Sequence, residues 1–177
     1  MSNTIILFTA ILLGAVPALS QIKLDLDHLA KAAKESTEIT LDASLLQMAG
    51  RFLSASKPDE AKVKSLVSNL EGIYVRSFEF DKPDQWSQAD LEPLRKQLTA
   101  PGWTRIVRHT ESGKEALSGF SEIHVLREKG KPKGIAIITG ERKELTIVHI
   151  QGDIDLDQLG DLSGQFGIPR LPAPPKK

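Results

Sequence analysis

The stretch GFSEIHVLREKGKPKGIAIITGERKELTIVHIQG, residues 119–152, decides the fold. It holds three runs rich in Val, Ile and Thr, residues 120–127, 133–139 and 144–150, parted by short polar segments containing Gly, Lys and Pro. β-Branched runs of this length with few turn residues between them predict consecutive antiparallel strands of a meander. Working outward, IYVRSFEF at 73–80 and the run at 103–109 add two strands. The first carries apolar groups on both sides, Ile73 and Val75 against Tyr74, Phe78 and Phe80, which predicts a central place in the sheet. A weaker alternation at 36–41 allows one further short strand.

Helical spacing fills the remainder. In LDLDHLAKAAKE, Asp25 or Asp27 is placed to cap a helix with Leu26, Leu29, Ala30 and Ala33 on one face. Asp42 opens the next helix, whose buried stripe is expected at Leu45, Met48, Ala49 and Phe52. A third follows Ser56-Lys57-Pro58-Asp59, with Pro58 in the first turn, Val63, Leu66, Val67 and Leu70 inward, and Gly72 as the left-handed terminator. Ser87 or Asp90 starts a fourth, with Leu91, Leu94 and Leu98 on its buried side and Pro101-Gly102 ending it. This order predicts an α+β fold: a two-layer, mostly antiparallel sheet of about five strands with helices packed on one face. The alternative is one parallel pair, formed by 73–80, its following helix and 103–109.

Composition excludes several function classes. Lys plus Arg (23) equal Asp plus Glu (23), so no net field points to nucleic acid. Cys is absent, which removes disulfides, thiolate metal sites and thiol nucleophiles. Residues 1–22 contain no charged side chain, and the apolar run 5–19 ends with Ala18 and Ser20 in an A-x-A-like pattern. That pattern predicts a signal peptide over 1–20 cleaved before Gln21, because about 15 apolar residues are too few for the ~20 of a membrane span. Residues 21–168 then form a single domain. The nine residues 169–177, with four Pro, are expected to be a disordered, extended tail.

The segments LDASLLQMAGRFL, PDEAKVKSLVSNLEGIYVRSFEFD, PGWTRIV, GIAIITGERKELTIVHIQGDIDLDQL and FGIP resemble, in their order along residues 24–169, the domain of unknown function family 4252. The resemblance lies in framework residues and brings no catalytic residues with it. It implies an exported bacterial envelope protein, periplasmic or secreted, with a hint of envelope signalling. Relatives are often lipoproteins, whereas this chain lacks the lipid-accepting Cys.

Candidate chemistry rests on histidines. Of His28, His109, His124 and His149, three fall on predicted strands. Glu122 and His124 share a face by the two-residue period, and a neighbouring strand would bring His149 near them in an acid/base or metal cluster. Asp153, Asp155 and Asp157 open like a calcium loop, but its sixth and twelfth positions are Gln158 and Gly164, so the loop fails. No phosphate-cradling glycine motif and no GxSxG nucleophile motif occurs. The expectation is therefore a non-enzymatic envelope module binding a protein or small ligand, with no cofactor, no metal and no membrane span after signal cleavage. The alternative is a small hydrolase or metal-dependent enzyme built on Glu122, His124 and His149.

Overall fold

A computed structural model describes residues 22–54, 56–112 and 117–155. The expected signal segment, the Pro-rich tail and most of 153–164 lie outside them.

The meander forms as its sequence predicts. β3 (Trp103–Ser112), β4 (Leu117–Glu128), β5 (Lys131–Glu141) and β6 (Glu144–Gly152) pair antiparallel in succession. β2 (Leu70–Glu79) joins the free side of β6, and β1 (Glu35–Asp42) joins β2. The sheet has six strands in the order β1-β2-β6-β5-β4-β3, all neighbours antiparallel. The α+β class stands, with six strands where about five were expected. β2 is one strand in from the edge. No parallel pair forms, because β6, β5 and β4 separate β2 from β3.

The helices cover both faces of the sheet rather than one. On the first face α2 (Ala43–Phe52) and α3 (Pro58–Ser68) bring Leu46, Leu66 and Val67 onto Val75, Val125, Ile135, Ile137 and Val148. On the second face α1 (Asp27–Ala32), a 3₁₀ turn at Gln88–Leu91 and α4 (Glu92–Gln97) bring Leu26, Leu29, Leu91 and Leu94 onto Phe78, Ile138, Leu145 and Ile147. The reason is connectivity. The β1–β2 link carries α2 and α3 over one face, while the β2–β3 link must cross three strands and does so over the other.

Local signals fared unevenly. Asp42 caps α2 as expected, accepting from the Leu45 amide at 2.8 Å. Ser87 and Asp90 close the start of the 3₁₀ turn, the Asp90 carboxylate accepting the Ser87 amide at 2.7 Å. Neither Asp25 nor Asp27 caps α1, whose N-cap is Leu26. The Ser56 hydroxyl expected to cap α3 does not do so; the N-cap is Lys57, with no side-chain capping bond. Gly72 does not terminate α3; Asn69 does, and Gly72 sits in β2 where a Cβ would come within 2.8 Å of the Tyr74 ring.

The largest departure is in α2. Leu45, Met48 and Phe52, expected inside, are 40%, 51% and 82% exposed, while Leu46 and Gly50 face the core. Both stripes of this helix are apolar. The one containing Leu46 and Gly50 packs inward, with Leu46 fully buried in the core beside Leu66 and Val67 of α3.

Gly152 closes the other end of this layer. Its φ is +127°, and a Cβ there would lie 2.5 Å from the Asn69 carbonyl oxygen and 2.6 Å from the Leu70 Cα. Gly152→Ala should therefore cost at least ~2 kcal/mol, combining a left-handed backbone with a backbone clash. Urea unfolding of the two chains checks this; equal midpoints would show that the α3–β2 corner is loosely held.

Candidate functional site

Glu122 and His124 lie on the second face of β4, under α4. The register carries one transverse row across the sheet on that face: Thr40, Tyr74, His149, Ala136, His124 and Arg105. His124 and His149 thus share a row two strands apart, about 10 Å between backbones at the usual strand spacing. Ala136 stands between them.

The Glu122 carboxylate is 2% exposed. One oxygen accepts from the Arg95 guanidinium at 3.0 Å and the other meets His124 Nε2 at 3.2 Å. Arg95 comes from α4, is also bonded to the side-chain oxygen of Gln88, and lies over the Phe120 ring at 5.6 Å. Burial alone would raise the Glu122 pKa; the hydrogen bond from His124 and the charge of Arg95 outweigh it, and the net shift is downward. For His124 burial dominates and lowers the pKa against the pull of Glu122. Glu122 is therefore an ionised acceptor and His124 a neutral imidazole whose Nε2 carries the proton. Its Nδ1 has no hydrogen-bond partner.

His149 belongs to a different environment. It stacks on Tyr74 with ring centroids 5.8 Å apart, and Trp103 tilts against it at 6.0 Å. Trp103 reaches it from β3 by lying across Gly134, where a Cβ would be 3.5 Å from the indole. Burial pushes the His149 pKa down to about 4, so the ring is neutral at pH 7. No hydrogen bond joins it to Glu122 or His124, and its Nδ1 is also unpartnered.

The structure thus makes a pair of Glu122 and His124 and leaves His149 in an aromatic box. Among the described residues no group of three His, Asp or Glu side chains could hold a metal ion. His109 is exposed on β3 beside Glu111, and His28 pairs with Asp90 at 3.0 Å. Sequence reading missed Arg95, the counter-ion of Glu122, and nothing in the local sequence marks it; only the placement of α4 over β4 brings the two together.

The clefts on the described surface include two that border the sheet. One, about 390 Å³, lies at the β1–β2 edge between the segment Ile22–Leu24 and Glu38, Tyr74 and Arg76. The other, about 290 Å³, is lined by Trp86, Gln88, Gly140 and Glu141 among others. Neither is lined by Glu122, His124 or His149.

With this geometry in place, comparison with known families is informative: the family model of a domain of unknown function (DUF4252) matches residues 31–162. The chain belongs to the DUF4252 family. The match runs from α1 through β6, so this DUF4252 domain includes the whole sheet and the Glu122–His124–Arg95 cluster. Comparison with curated proteins finds no match. No helix among the described residues of this DUF4252 protein is long and apolar enough to cross a membrane.

Buried neutral histidines link stability to pH. His149 titrates near 4 when folded and near 6.5 when unfolded, so the unfolded chain takes up the proton first on acidification. Its contribution is fully present above pH 6.5, is lost as pH falls towards 4, and amounts to about 3 kcal/mol across that window. His124 adds to the loss with the same sign. Urea midpoints at pH 7.5 and 5 should fall for the wild type and fall less for His149→Gln; equal slopes would place the titration elsewhere.

Proposed function

We propose that this DUF4252 protein is an exported, non-catalytic binding module of the bacterial cell envelope, engaging a partner protein through the outer side of α2. The observation that carries this reading is the exposed stripe of Leu45, Met48 and Phe52. They recur at i, i+3 and i+7 on the side of the helix turned away from the sheet, the pattern by which a helix presents apolar anchors to a groove. Contiguous apolar exposure of this kind marks interaction surfaces.

The ionic cluster supports the same reading. A general base needs a reachable lone pair. Each Glu122 oxygen already accepts one hydrogen bond, from Arg95 or from His124, on a residue 2% exposed, and the free Nδ1 of His124 is on a 5% exposed residue beneath α4. The alternative of a small hydrolase or metal-dependent enzyme would require α4 to move off β4.

Export rests on the charge-free residues 1–22 and on Ala18 and Ser20. Intact mass of protein recovered from the envelope of a bacterial host should show Gln21 first, and a full-length chain held in the membrane would overturn export. The binding reading is tested by changing Leu45, Met48 and Phe52 together to Gln. Because these side chains already face water, the thermal midpoint should move by no more than a few degrees. Cross-linking in envelope extract should yield an adduct with the wild type that the triple variant loses, and identical adducts would sink the α2 surface.

A further inference from the structure

All neighbouring strands of the sheet are antiparallel and the strand number is even, so the two edge strands, β1 and β3, run in opposite directions. A second copy laid beside the first with the same face up therefore sets its β3 antiparallel to β1. Both edges are open to such pairing. Among the described residues no other element bonds to the backbone of β1, or to that of β3 beyond Trp103. A row of unpaired N–H and C=O groups is a template for another strand unless Lys, Pro or a bulge blunts it. β1, ESTEITLD, has neither Lys nor Pro, and its register with β2 runs without a shift.

Charge decides which edge fits which. β1 holds Glu35, Glu38 and Asp42, all exposed, and no basic residue. β3 holds Arg105 and Arg108, both exposed and neither in an ion pair among the described residues, against one acid, Glu111, which sits beside His109. The bulge at Ile106 gives the two arginines a common face, since they stand opposite His124 and Glu122 of β4. On that second face one row of the sheet runs Glu38, Arg76, Ile147, Ile138, Glu122 and Arg108, from a carboxylate at one edge to a guanidinium at the other. Pairing β1 with another β1 would set acid against acid, and β3 with β3 would bring guanidinium groups together. Like charges across strands destabilise a pair and opposite charges stabilise it, so β1 against β3 is the combination that suits both edges. With Arg105 opposite Glu38 of the next copy, counting past the bulge puts Val107 opposite Thr37, Arg108 opposite Ser36 and His109 opposite Glu35, each on a matching face. Glu111 then falls beyond the start of β1. The Glu38 side chain is 56% exposed beside Arg76, which leaves it room for a further donor.

We propose that β1 and β3 are the complementary halves of one self-association surface, through which copies of this chain join head to tail into a continued antiparallel sheet. Such a contact is heterologous, and each joined pair still offers one free β1 and one free β3, so growth passes the dimer. Sedimentation velocity on protein recovered from the bacterial envelope, at about 1–500 μM, should show a weight-average mass that rises beyond that of a dimer, and less so in ~0.5 M salt. Arg105→Glu with Arg108→Glu should move this association at least about tenfold upward in concentration, and leave the melting temperature unchanged because both side chains are exposed. Glu35→Lys with Glu38→Lys should do the same from the other edge. An equimolar mixture of the two reversed variants should associate again, each supplying the edge that the other has lost, a rescue that misfolding could not imitate. Changing Leu45, Met48 and Phe52 to Gln should leave the association intact, since α2 belongs to neither edge. A chain that stays monomeric or stops at the dimer overturns the proposal, as do association that the reversals leave unchanged, association lost with the α2 stripe, and a mixture that fails to restore it.

Discussion

Residues 134–138 of β5 and 147–150 of β6 are buried without interruption, on both sides of the sheet. Antiparallel sheets commonly leave one face to water, so this double burial demands a second helical layer. The chain meets the demand through its two long connections, α2 and α3 over one face and the crossing segment that ends in α4 over the other. The remaining features of the molecule stem from having no wet side at its centre.

The first consequence is electrostatic. A carboxylate taken out of water costs several kcal/mol unless it is paired and hydrogen-bonded. Glu122 is tolerated under α4 because Arg95 supplies the charge and His124 the second donor. The same enclosure leaves both members of the acid–histidine pair buried. His149 shows the other solution to burial, remaining neutral among Tyr74 and Trp103 rather than acquiring a partner charge.

The second consequence is steric. On its second face β5 presents Gly134, Ala136, Ile138 and Gly140, three of them small, in the middle of a covered sheet. The small positions give room to side chains from elsewhere: Trp103 lies over Gly134 and Trp86 over Gly140. Trp103 is thereby carried across β4, the strand next to its own, and beside Trp86 the glycines line a cleft.

How much of the fold and of the candidate site was legible in the chain depends on the range of the interaction. The strands of the meander, the Asp42 cap and the Leu91, Leu94, Leu98 stripe are written in two-residue and 3.6-residue periods or in a single turn, and so follow from the order of residues alone. That order also determined that Glu122 and His124 share a face. It could not choose between the two apolar stripes of α2, because each satisfies the helical period and only the docking of the helix turns Leu46 and Gly50 inward. Nor could it place helices on both faces, bring Arg95 of α4 to Glu122 of β4, or divide His149 from the pair. Those depend on strand order and crossover path, and local periodicity encodes which side of an element is apolar but not which element will cover it.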